Sequence, residues 1–164
     1  MNTFLTLSII GASFFTIALI ILIILYGIPS SLSESFYNLG GRNGKGYLFY
    51  LMLVITVLLL IAPLVEAAGG FGFATAAALA FVGAAAAFKD DKITKIVHIS
   101  SAALSGLFSL ITLFKMKELI LVVPVIIGIL LLAFFTKTIK SSRIFWIEMV
   151  AFYSIFVGLI VYFS

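Results

Sequence analysis

The chain contains no cysteine, which excludes disulfides, thiolate metal sites and a cysteine nucleophile. It has one histidine. Zinc hydrolases surround their metal with several nitrogen or sulfur ligands, so a multi-histidine zinc site cannot be built within one chain. Charge is equally scarce. Only 10% of the 164 residues are Asp, Glu, Lys or Arg, against roughly 25% in ordinary soluble domains. The aspartates, Asp90 and Asp91, are adjacent, which excludes a protease with one Asp on each of two spans. There is no Gly-x-Ser-x-Gly element, and the run from Gly40 to Gly46 lacks the Walker fingerprint despite its glycines and Lys45. No enzymatic chemistry, cofactor or metal is therefore expected.

What the chain has in abundance is apolar sequence. Hydrophobic residues make up 64% of it, and mean hydropathy is +1.35. A bilayer core about 30 Å thick needs roughly 20 apolar residues per helix. Stretches of about that length cover 4–26, 46–65, 71–88, 96–114, 119–136 and 144–163. The expected fold is all-α: one polytopic domain over 1–164, a bundle of six transmembrane helices joined by short connections. A transmembrane β-barrel would alternate apolar and polar residues, whereas runs such as 17–25 and 51–61 are unbroken. The first stretch lacks a basic leader and a small-residue cleavage site, so it is expected to be a retained span.

Six spans place both termini on one face. The connections on the other face carry Arg42, Lys45, Lys89, Lys92, Lys95, Lys137, Lys140 and Arg143, eight basic residues, against Lys115 and Lys117 on the terminal face. Basic residues favour the cytoplasm, so both termini are expected outside it, in a bacterial inner membrane. The net charge of +4 sits at helix ends, and the expected partner is the lipid bilayer rather than nucleic acid.

The longest connection, 27–45, has structure of its own. Pro29 closes the first span, and Ser31-Leu32-Ser33-Glu34 has capping-box spacing. Leu32, Phe36 and Leu39 then recur on one narrow face before Gly40-Gly41. A short interfacial helix over about 31–39 is expected, serving either as a cover for the bundle or as a gating or partner-binding element. The Ile28–Tyr37 stretch, Ile-Pro-Ser-Ser-Leu-Ser-Glu-Ser-Phe-Tyr, resembles a segment of small uncharacterised multi-pass membrane proteins of Bacteroidetes and their phages. The resemblance covers this one loop and implies no activity.

Small residues dominate the third span, among them Ala76, Ala80, Gly83 and Ala84. Small residues let helix backbones approach closely in lipid, so this span is expected to be central, inside the protomer or at a subunit contact. In the fourth span Ser101, Ser105 and Ser109 recur every four residues, as a packing stripe or a polar pathway. Pro63 is expected to end the second span.

Ionisable groups within spans are rare and invite functional hypotheses. Glu148 lies inside the sixth span, His98 near the start of the fourth, and Glu66 at the end of the second. On the inferred topology His98 and Glu148 share a depth, with Glu34, Asp90 and Asp91 over the same face. A His–carboxylate pair there would act as a pH-responsive latch or a proton-relay step. The structural alternatives are Glu148 paired with Arg143 or a loop lysine, His98 bonded to a neighbouring carbonyl, and Glu66 as a boundary residue. The leading expectation is a non-enzymatic membrane protein that self-associates as a homo-oligomeric channel or permeability element. In a symmetric oligomer one Glu per subunit becomes a cation-attracting ring. Alternatives are a proton-coupled small transporter with its site inside one protomer, and an accessory subunit bound to another membrane protein.

Overall fold

Among the described residues, six helices account for nearly all of the structure. The computed structural model describes residues 2–28, 31–32, 47–86, 92–135 and 143–164. The helices are α1 (Thr3–Tyr26), α2 (Tyr47–Ala68), α3 (Gly70–Ala86), α4 (Lys92–Lys115), α5 (Leu119–Phe135) and α6 (Arg143–Phe163). Among the described residues, four helical stretches are long and apolar enough to cross a membrane: Thr3–Tyr26, Tyr47–Ala68, Ile96–Lys115 and Phe145–Phe163. The 17-residue helices α3 and α5 are shorter. Beyond Ser31 and Leu32, the expected interfacial helix lies outside the described residues, as do Glu34, Asp90 and Asp91.

Local chemistry sets the helix ends. Asn2 caps α1, its side chain accepting from the Phe4 N–H at 3.0 Å and satisfying one of the donors a helix start leaves orphaned. Gly27, at φ 80°, follows its last turn, where a residue without Cβ adopts the left-handed conformation at least cost. Gly69, at φ 60°, ends α2 in the same way, its N–H bonded to the Val65 carbonyl at 2.7 Å. Pro63 does not end α2. The helix runs through it to Ala68, because neighbouring packing tolerates the lost N–H in apolar helices. Helix α4 begins at Lys92, a turn before the apolar run. Hydropathy marks the part of a helix that suits lipid, not where its hydrogen bonding starts.

Each helix packs against its neighbours in sequence, and α6 returns to α1. Two sets emerge. Helices α2, α4 and α6 touch one another pairwise, whereas among the described residues α1, α3 and α5 each touch only the two inner helices beside them. An aromatic cluster closes the ring: Phe15 of α1 stacks on Phe152 of α6 at 4.8 Å and meets Phe156 edge-on at 5.3 Å. Beside it the Thr16 and Tyr153 hydroxyls are 3.0 Å apart.

Helix α3 is thus not central within the chain. It is an outer helix wedged between α2 and α4. Its small residues do permit close approach. A Cβ on Gly72 would overlap the Leu64 carbonyl of α2, and one on Gly83 would lie 3.1 Å from Leu53 Cβ. Ala76 and Gly83 are buried, while Ala80 and Ala84 are half-buried. Against α4, the Thr75 and Thr112 hydroxyls meet at 3.1 Å, both side chains fully buried.

The polarity of the bundle runs inside out. Ser8, Thr56, Thr75, Ser105, Ser109, Thr112 and Ser154 are buried, while Leu58, Phe114 and Ile120 are exposed. Several hydroxyls bond to the carbonyl four residues back, as Thr56 does to Met52 at 2.7 Å. Such pairing within the helix lets a hydroxyl sit away from water. An apolar exterior over a partly polar interior is compatible with a membrane location.

Candidate functional site

The inner helices do not fill the space between them. A cavity of about 120 Å³ lies among α2, α4 and α6, with α3 contributing Leu79 and Val82. Helix α2 supplies Phe49, Leu53, Thr56, Val57, Leu60 and Leu64, spaced three or four apart so that they share one face. Helix α6 supplies Glu148, Ala151, Phe152, Ile155 and Phe156 by the same spacing. Helix α4 gives the most polar wall: His98, Ala102, Ser105, Gly106 and Ser109.

The cavity has a polar end. Glu148 lies five residues into α6 and His98 six into α4, about 8–9 Å along each axis at 1.5 Å per residue. The Glu148 carboxylate accepts the Leu32 backbone N–H at 2.6 Å. Leu32 itself is buried and lines the cavity at the same end. His98 Nδ1 is 3.0 Å from the Val82 carbonyl. A carbonyl only accepts, so this bond places a proton on Nδ1. The carbonyl partner expected for His98 is therefore present, and both side chains face one cavity.

One side of the cavity is open. Near the terminal face α4 and α6 are tightly packed: a Cβ on Gly158 would lie 2.8 Å from Leu113 Cδ2. Toward the other end the same stripe of α4 presents Ala102 and Gly106. Ala102 is exposed although it lines the cavity, and a Cβ on Gly106 would meet nothing within 4 Å. Helix α5 leans on α6 there, with Gly128 against Ile147. The gap runs along the Ala102–Gly106 edge of α4.

Of the residues singled out in the sequence, Glu148, His98, Ser105 and Ser109 converge on this cavity. Ser101 is buried without lining it, and Glu66 is exposed near the opposite end of α2. Sequence reasoning missed Leu32 and Thr56. Thr56 had a signal, as the one hydroxyl in the otherwise apolar run 47–65 apart from two tyrosines. The sequence places Leu32 on an apolar face of the first connection but gives no sign of its bond to Glu148, which spans 116 positions. Among the described residues no three His, Cys, Asp or Glu side chains gather as metal ligands.

No protein-family model, curated protein or solved structure matches this chain, and the chemistry of the cavity rests on the residues that line it.

Proposed function

We propose that this is a six-span membrane protein that binds a small, largely apolar molecule inside one protomer and carries it across the bilayer. All six helices cross, α3 and α5 included. At 17 residues each they rise about 26 Å, close to the hydrocarbon thickness. Leu32, in the first connection, closes the polar end of the cavity. The connections bearing the eight basic residues face the cytoplasm of a bacterial inner membrane.

The observation that carries this reading is the convergence of Glu148, His98, Ser105 and Ser109 on one apolar-walled cavity within a single chain. Binding sites characteristically combine apolar walls with a few convergent polar groups. A channel assembled from several copies would instead place its polar groups at a subunit boundary. The small residues of α3 available for such a boundary, Gly72, Ala76 and Gly83, are used against neighbours within the chain. The open edge along Ala102 and Gly106 suits a ligand that partitions into lipid.

Native mass spectrometry of the protein in lipid discs tests this. A monomer that exchanges a bound small molecule supports a carrier. A defined ring whose conductance vanishes in Glu148→Gln overturns it in favour of a channel.

A further inference from the structure

We infer that the ligand is a small lipophilic amine, bound as its ammonium ion at Glu148 with its hydrocarbon part against the aromatic and aliphatic walls. This rests on the cavity being a binding site, as proposed above, and adds the class of its occupant.

Three features of the cavity select that class. The first is charge. Among the described lining residues only Glu148 carries a carboxylate and none is Lys or Arg, while His98 is engaged through Nδ1 with the Val82 carbonyl. A carboxylate has about four acceptor positions, and the Leu32 N–H takes one, so capacity for a second donor remains. In a low-dielectric site an anion would be repelled there, and a neutral ligand would add no counter-charge to the carboxylate. An ammonium ion supplies both the counter-charge and the hydrogen-bond donors. The second is the wall. Phe152 and Phe156 lie on the same helix face as Glu148, one and two turns further on, placing aromatic surface where an amine's hydrocarbon would lie. A metal cation of the calcium type takes 6–8 oxygens, roughly, and finds mainly hydrocarbon here. The third is size. A cavity of about 150 Å³ holds benzene, and this one measures about 120 Å³ with one side open. One ring, or its aliphatic equivalent, is the body that fits. Larger substituents would have to extend through the Ala102–Gly106 edge.

The test is equilibrium dialysis of three labelled probes of matched shape, benzylamine, benzyl alcohol and benzoate. The protein is held in phosphatidylcholine discs, and empty discs are subtracted. Benzylamine should bind saturably, one per chain, at least about tenfold more tightly than either of the others, as expected for a buried charge pair. Glu148→Gln should lose that preference by about the same factor while keeping any affinity for benzyl alcohol. Its amide oxygen still accepts the Leu32 N–H, and the three-probe comparison on the unaltered protein needs no variant to fold. If benzyl alcohol or benzoate binds as tightly as benzylamine, the amine assignment falls and the cavity stands as a site for another class. If no probe binds saturably, the binding-site reading falls with it.

Discussion

Glu148 and Leu32 are 116 positions apart in sequence, yet the Glu148 carboxylate accepts the Leu32 backbone N–H at 2.6 Å. The bond fastens the first connection to α6, at the end of the cavity where Leu32 is buried. A buried amide left without a partner costs about 1–3 kcal/mol. Glu148→Ala should lower stability by that amount, and Glu148→Gln, which keeps an acceptor, by clearly less. Thermal unfolding in lipid discs separates them. Equal losses would mean that the bond does not hold the connection.

The Thr75–Thr112 contact predicts an asymmetry. Thr75 already donates to the Phe71 carbonyl at 2.9 Å, so Thr112 must be the donor between the two hydroxyls. Thr112→Val leaves Thr75 bonded and should be nearly neutral. Thr75→Val strands the Thr112 donor in a fully buried position and should cost about 0.5–1.5 kcal/mol, within the range for interhelical hydrogen bonds in membranes. The same unfolding measurement decides it, and a reversed order would assign the donor to the wrong residue.

Much of this architecture was legible in the sequence, and the reasons are physical. Apolar runs bounded by charge mark where helices suit lipid, which is why the expected stretches coincide with α1 to α6 within a few residues. Pro63 misled because proline breaks helices through a lost N–H and a clash, penalties that surrounding packing absorbs inside α2. The small residues of α3 correctly signalled close approach, as Gly72 and Gly83 show. They did not reveal that, among the described residues, α2 and α4 are the neighbours that use it. His98 and Glu148 were noticed as ionisable groups at one depth. A site inside one protomer was among the readings, but that these two side chains line one cavity depends on which three helices form the inner set.

The outer position of α3 can be probed by size. Ala76 is fully buried, whereas Ala80, one turn on, is half-buried. Forcing extra methylenes into a packed site typically costs about 1–3 kcal/mol. Ala76→Leu should therefore destabilise by that range or prevent folding, and Ala80→Leu should be milder. Size-exclusion profiles and unfolding temperatures in detergent report both. Equal damage at the two positions would return α3 to the centre of the bundle.

The chain's lack of cysteine makes its orientation easy to read by labelling. The proposed six-span topology puts eight basic residues on one face and two on the other, so the terminal face should lie outside the cytoplasm. Ser164→Cys should react with a membrane-impermeant maleimide in intact cells, and Lys140→Cys only after permeabilisation. The opposite pattern would invert the topology and place the polar end of the cavity outside.

Gly106 and Gly158 make opposite predictions because one faces open space and the other a closed contact. A Cβ on Gly106 meets open space, while one on Gly158 would lie 2.8 Å from Leu113 Cδ2 and 3.1 Å from Met116 Cε. Gly158→Leu drives its added methylenes into a closed contact and should lower the unfolding temperature, at about 1–3 kcal/mol for overpacking. Gly106→Trp has room to fit, and replacing a helical glycine also gains up to roughly 1 kcal/mol of helix propensity. It should leave stability unchanged or raised while filling the open edge of the cavity. If ligands enter through that edge, uptake into proteoliposomes should fall severalfold in Gly106→Trp, with the fold intact. Retained uptake in a stable Gly106→Trp protein would mean that the ligand enters elsewhere, past the Glu148–Leu32 end.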